Sequence, residues 1–174
     1  EWDDMRASFY NEQVIVCLAS AIDALPTTVV VDVGTGTGFV AAGLAPNVGQ
    51  VIGIDNSEPM LTVARKNCAA LNIDNVETRV GELDHLPLDA RSVDAAVANM
   101  VLHHAPDPAA MLAEMARITR PGGWVAITDE IAHPYEWMRT EQADIWLGFT
   151  APEIEVFFEG AGLIDYGYVT LGIQ

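Results

Sequence analysis

The chain is short of positive charge. It holds one lysine, Lys66, and seven arginines against 25 aspartates and glutamates, a formal net charge of −17 over 174 residues. No basic stripe interrupts that excess, which disfavours binding to nucleic-acid phosphates or to an anionic membrane surface. Cysteine is scarce too: Cys17 and Cys68 stand alone and match no metal or redox spacing, as expected in a reducing compartment. No apolar run is long enough to span a bilayer, and the start Glu1-Trp2-Asp3-Asp4 does not read as a signal peptide, so a cytoplasmic location is expected. Repeats, low-complexity tracts and linkers are also missing. What is left is a single domain, 51% apolar and 19% charged, large enough to bury a sizeable core.

What is present is organised around Val29–Gly38, VVVDVGTGTG. Val29–Val33 is β-branched apart from Asp32, the composition of a strand buried on both faces of a parallel sheet. Glycines follow at 34, 36 and 38, then the helix-compatible Phe39–Ala45. Strand, glycine turn and helix open a nucleotide-binding α/β sheet, where bare backbone lets a ligand approach the helix N-terminus. Two patterns overlap here. Gly36–Ala41 fits G-x-G-x-x-A, a dinucleotide fingerprint; Asp32–Gly38 fits D-x-G-x-G-x-G, with a carboxylate at the strand's end. That carboxylate would repel a pyrophosphate and suits a cationic ligand such as the aminoacyl end of S-adenosyl-L-methionine (SAM). The next strand, Gln50–Asp55, ends in a second acid placed to accept ribose hydroxyls, a feature common to NAD and SAM sites.

The rest of the chain alternates strands and helices. Residues 5–24 carry apolar side chains at helical spacing, closed by Pro26, with Tyr10 a candidate for the ligand mouth. Ser57 and Asp107 each precede a helix with proline in its first turn. Val76–Val80, with Glu77 and Arg79, reads as an edge strand; Asp94–Asn99 is a fourth strand; Arg120-Pro121-Gly122-Gly123 stops a helix before a fifth, Trp124–Thr128. Such alternation implies a parallel sheet with right-handed crossovers.

The blocks VVVDVGTGTG, VIGIDNSEPML, GELDHLPL, SVDAAVANMVLHHAPDP and RPGGWVAITD occur in one order over residues 28–130. In that order the chain resembles class I SAM-dependent methyltransferases, most closely the type 11 methyltransferase domain of ubiquinone/menaquinone C-methyltransferases and arsenite methyltransferase-like enzymes. The resemblance decides between the two glycine patterns in favour of SAM. It implies that Asp32, Gly34, Thr35, Gly36 and Gly38 line the methionine portion and that Asp55 holds the ribose hydroxyls. Asn56 and Met60 then flank the adenine. Glu82 stands where the family often has an aspartate against the adenine amino group, and Leu83 offers backbone. Asn99 and Val101 border the sulfonium, with His104 at the methyl-transfer opening as catalytic candidate.

Residues 131–162 depart from the common pattern and are expected to select the substrate, with His133, Trp137 and Trp146 joining Tyr10 as candidates. Thr150-Ala151-Pro152-Glu153 is a capping box opening a helix through Glu159. His103, His104, His133 and Glu130 match no metal-ligand spacing, and no metal is expected. The two cysteines, in predicted helices away from the substrate side, speak against arsenite methylation through a thiol cluster.

The expected fold is a doubly wound, Rossmann-like α/β sheet with helices on both faces, parallel strands in the order 3-2-1-4-5, and a C-terminal antiparallel strand. Residues 1–26 form a helical cap, 27–130 the SAM-binding core, and 131–174 the substrate-side helices and last strand. The expected reaction moves a methyl group from SAM to a small-molecule acceptor, leaving S-adenosyl-L-homocysteine, with a homodimer allowed. A non-catalytic SAM-binding protein and an NAD(P)-dependent oxidoreductase are the alternatives. The class I fold ends in an antiparallel hairpin, and here Leu163–Leu171 supplies one strand with only Gly172-Ile173-Gln174 after it. Truncation is the expectation, with strand exchange between chains next and a sixth strand moved against the fifth as a third outcome.

Overall fold

A computed structural model describes residues 13–171. Five parallel strands form one sheet in the order β3-β2-β1-β4-β5. They are β1 (Val29–Val33), β2 (Gln50–Asp55), β3 (Val76–Val80), β4 (Val93–Asn99) and β5 (Thr119–Thr128). The helices are α1 (Gln13–Ala21), α2 (Phe39–Leu44), α3 (Glu58–Ala70), α4 (Pro108–Ile118), α5 (Met138–Glu141) and α6 (Ala151–Gly160). Tyr10 lies outside the described residues.

The pleat divides the core in two. Val31, Val33, Ile52, Ile54, Ala96 and Ala98 face one way, onto α4 and α6. Val30, Val51, Ala95 and Val97 face the other, onto α1 and α2. Met111, Leu112, Met115 and Ile118 recur at helical spacing and are wholly buried, so one stripe of α4 covers the sheet. Each long helix starts as its sequence announces. The Ser57 and Asp107 side chains accept from the backbone N–H of Met60 and Ala110, and Thr150 with Glu153 closes a capping box.

Arg117 braces the loop after β3. Its guanidinium pairs with Glu114 and donates to the carbonyls of Leu86 and Leu88, while Glu114 accepts the Leu86 N–H at 2.8 Å. The loop is thereby tied to the C-terminal half of α4.

Two elements differ from expectation. Strand β5 begins at Thr119, which already pairs with Val93; the ladder resumes only at Ala95 with Trp124, and Arg120–Gly123 form a bulge between, Gly122 taking φ +82°. The expected antiparallel strand over 163–171 does not form, and no strand among the described residues lies beyond β5. The apolar contacts of this segment are not spaced by two. Leu163 and Tyr166 pack on the α4–α6 side and Leu171 on the other, whereas Ile164 and Val169 are exposed. A segment anchored at such uneven intervals follows the surface and presents no edge for pairing.

Candidate functional site

The carboxyl ends of β1, β2 and β4 enclose a cleft where the strand order reverses about β1, the position at which open α/β sheets bind ligands. Asp32, Gly34, Thr35, Gly36, Asp55, Met60, Asn99, Val101 and His104 line it, nine of the residues predicted from sequence. Thr37, inside the stretch Gly34 to Gly38 expected along the methionine portion, lines it as well, as do Phe39, Val40 and Met100, which were not predicted. The first three lie inside the glycine turn and the start of α2, so the motif itself signalled them. Met100 owes its place to a left-handed backbone, φ +55°, directly after β4, and nothing in the sequence announces that.

Asp32 is buried at 1% exposure and accepts the Thr35 hydroxyl at 2.6 Å. Burial drives its pKa from an ordinary 3.8 up to about 7, with the Thr35 hydrogen bond offsetting part of the rise. At neutral pH this carboxyl is poised between its two states, and a cation placed beside it would favour the charged one.

Asp55 is arranged differently. One oxygen accepts the Gly36 N–H and the other the Ser57 N–H, both at 2.9 Å. Each oxygen keeps lone-pair capacity for a further donor. The glycine turn is therefore fastened to the acid that ends β2. A Cβ at Gly34 would stand 2.4 Å from Val101 Cγ2, and φ is +71° there, so glycine is required on both counts. Gly36, at φ +53°, has nothing within 4 Å of its Cβ position: here the backbone faces open space. Gly38, Asn56, Glu82 and Leu83 are not in the cleft lining. Gly38 lies against Ala64 of α3. The Asn56 amide donates to Glu82 at 3.1 Å, so the longer glutamate reaches across to the residue after Asp55. Leu83 packs against the α4 side of the core.

On the other side, Thr128 donates to Asn99 at 2.6 Å, and the Leu102–His104 turn carries the two histidines. Asp129 follows β5 as a strand-end acid, a signal the sequence offered and the reading above did not use. It accepts the Leu102 N–H at 2.9 Å and meets His103 Nδ1 at 2.7 Å. Burial pushes the His103 imidazole down, but the Asp129 hydrogen bond and the surrounding carboxylates outweigh it, and its pKa is raised. Burial, joined by the neighbouring His103, holds His104 below its ordinary value.

The predicted substrate residues do not line this cleft. His133 Nε2 meets Glu130 at 2.9 Å while its Nδ1 faces the Tyr135 N–H at 3.3 Å, a pairing that assigns the ring proton to Nε2. Trp137 is half exposed at the start of α5. Trp146 donates its indole N–H to the Ala105 carbonyl at 2.9 Å and leans on Phe149, a structural post for the histidine turn. Trp146→Phe should lower unfolding free energy by about 1 kcal/mol, the worth of that hydrogen bond, and leave cofactor affinity unchanged. Chemical denaturation with calorimetry of cofactor binding checks both.

Residues 31–127 match the family described as Methyltransferase domain. The chain belongs to that family. Arsenite methyltransferase of Halobacterium salinarum is 39% identical over 109 residues, 61% of this chain and 28% of that protein. Ubiquinone biosynthesis O-methyltransferase of Hahella chejuensis is 37% identical over 124 residues, 70% of this chain and 48% of that one. The chain thus spans about half or less of these relatives' length. A SAM-dependent methyltransferase from Aquifex aeolicus superposes with a TM-score of 0.65 at 24% identity, covering 88% of both chains. S-adenosyl-L-methionine, the cofactor that the sequence resemblance implies, is what this cleft has to fit. The residues do fit it: a buried carboxyl for a cationic end, a second acid with spare acceptor capacity for hydroxyls, and open backbone at Gly36 between them.

Proposed function

We propose that this methyltransferase domain moves a methyl group from SAM to a small organic acceptor, with S-adenosyl-L-homocysteine as product. The observation that carries the proposal is the pair of strand-end acids about the glycine turn, Asp32 buried and Asp55 bonded to Gly36. Bound there, SAM supplies a methyl group already activated by its sulfonium. The protein's part is alignment and exclusion of water. Asp32, with Gly34, Thr35 and Gly36, cradles the aminoacyl end, and Gly38 sets the start of α2. Asp55 accepts the ribose hydroxyls. Met60 and Asn56 border the adenine, Glu82 and Leu83 close its far side, and Asn99 and Val101 line the wall nearest the reacting carbon. His104, partly buried at the cleft, orients the acceptor or takes its proton.

Neither cysteine lines the cleft, which supports an organic acceptor over arsenite. The two isolated cysteines support a cytoplasmic enzyme, and the excess of acid supports one that binds neither nucleic acid nor an anionic membrane surface; no described helix is long and apolar enough to cross a membrane. A homodimer is compatible with this reading. His133, Trp137 and Trp146 shape the acceptor side by supporting the histidine turn and its surroundings.

Transfer of label from methyl-tritiated SAM to phenols, quinol precursors, thiols and arsenite tests the reaction. SAM binding by calorimetry without label transfer to any of them would make the chain a binding protein, and NADH binding in place of SAM would overturn the assignment. For an acceptor that is methylated, His104→Ala should reduce turnover about tenfold, the loss of one orienting hydrogen bond, with SAM affinity kept within twofold.

A further inference from the structure

Asp144 is buried, its side chain 1% exposed, and neither carboxylate oxygen has a hydrogen-bond partner. A buried carboxylate left this way carries a penalty of several kcal/mol unless a positive charge answers it. The backbone holds it there: Ala143 takes φ +61°, and the Ile145 and Trp146 N–H groups both donate to the His103 carbonyl at 3.0 Å.

The histidine pair faces this acid. His103 Nδ1 is engaged by Asp129, so in the neutral ring Nε2 presents a bare lone pair, 3.7 Å from Asp144 Oδ1. His104 Nδ1 stands 3.9 Å from the same oxygen and 3.4 Å from the Ala143 carbonyl. Both nitrogens thus face only acceptors, the Asp144 carboxylate and the Ala143 carbonyl, and such a cluster is stable only with protons or a metal cation between its members. Adjacent histidines usually diverge, but in this tight turn their rings lie 4.0 Å apart at 52°. One donor atom from each of the three residues falls within 4.8 Å of the others. Donors around a tetrahedral ion with bonds of about 2.0–2.2 Å stand roughly 3.3–3.6 Å apart, so small side-chain rotations close the set. Asp129 behind His103 supplies the carboxylate–histidine pairing that orients a metal-binding imidazole.

We propose that His103, His104 and Asp144 bind one divalent transition-metal ion of the zinc type, with a fourth coordination position open. The sequence conceals this site because its third ligand lies 40 positions from the pair, in no motif spacing. An ion on His104 Nδ1 leaves the other ring nitrogen as an N–H donor, which fits the orienting role of His104 and not the proton-accepting one.

The test uses the full chain, stripped with chelator and titrated with Co2+ without SAM, so its outcome is independent of methyl transfer. One Co2+ per chain is expected, with visible d–d bands of a four- or five-coordinate site that Zn2+ abolishes. Asp144→Asn and His104→Ala should each weaken Co2+ binding at least a hundredfold, whereas His85→Ala, at an exposed histidine, leaves it unchanged. Circular dichroism verifies that each variant is folded, and His104→Ala carries the test if Asp144→Asn is not. Absence of the bands, or uptake that survives the ligand substitutions in folded protein, overturns the site. So does a nitrogen NMR spectrum showing His103 as an imidazolium that Zn2+ does not alter.

Discussion

Asp55→Ala should weaken SAM binding by about 2–3 kcal/mol, roughly 30- to 150-fold, in a calorimetric titration. A carboxylate receiving two hydroxyls makes charge-assisted hydrogen bonds, and alanine removes both. The structure adds a second contribution, because the same oxygens hold the Gly36 and Ser57 N–H groups at 2.9 Å. Removing them loosens the glycine turn and the entry to α3 even before ligand arrives. Asp55→Asn separates the two effects: its remaining carbonyl oxygen can keep one backbone partner, so a value between wild type and alanine is expected. Wild-type affinity in the alanine variant would dismiss the proposed ribose site.

SAM affinity should also fall on acidification below about pH 7, by up to tenfold per unit, and the dependence should vanish in Asp32→Asn. Burial raises the Asp32 pKa to about 7, so the free protein holds a proton there that a cationic aminoacyl end displaces. Stability moves the opposite way. Between the unfolded value near 3.8 and the folded value near 7, the native state binds the proton that the unfolded chain has lost. The stabilisation is complete below the lower value and lost as pH rises through the upper one. A span of about three units corresponds to about 4 kcal/mol. Thermal unfolding of wild type and Asp32→Asn across pH 4–8 reads it directly: the difference between them should widen with pH. Parallel curves would show that Asp32 does not titrate in this range.

Sequence was most informative where one local rule decides the structure. VVVDV and QVIGID announce strands because a strand covered on both faces has few positions for polar side chains, and a carboxylate at its end serves the turn that follows and leaves capacity for a ligand. Ser57, Asp107 and Thr150 announce helices because each cap, with proline in the first turn, satisfies backbone donors within four residues. The rest depends on distant partners. Whether Arg120–Gly123 ends a helix or bulges inside a strand is decided by Val93, which pairs with Thr119. Trp146 could serve acceptor or core by composition, and its indole N–H meets a partner 41 positions away, the Ala105 carbonyl, that no local pattern announces. Asp144 reads as an ordinary acid in a polar loop; only the left-handed turn at Ala143 buries it against the histidines.

The reversal of strand order at β1 also bears on how the domain assembles as it is made. Strands β1 to β3, with the glycine turn and Asp55, lie within residues 29–80 and pair only among themselves on that side. The half proposed to bind the nucleoside can therefore gather from short-range contacts soon after it leaves the ribosome. The acceptor half must wait for β4, which closes on β1 across 65 residues through the Val29 N–H to the Asp94 carboxylate. Such a closure is entropically slow relative to the local pairings, which places the β1–β4 seam late in folding. The cleft straddles that seam, so cofactor bound early would find only half its wall, and a complete pocket itself reports that the last strands have docked.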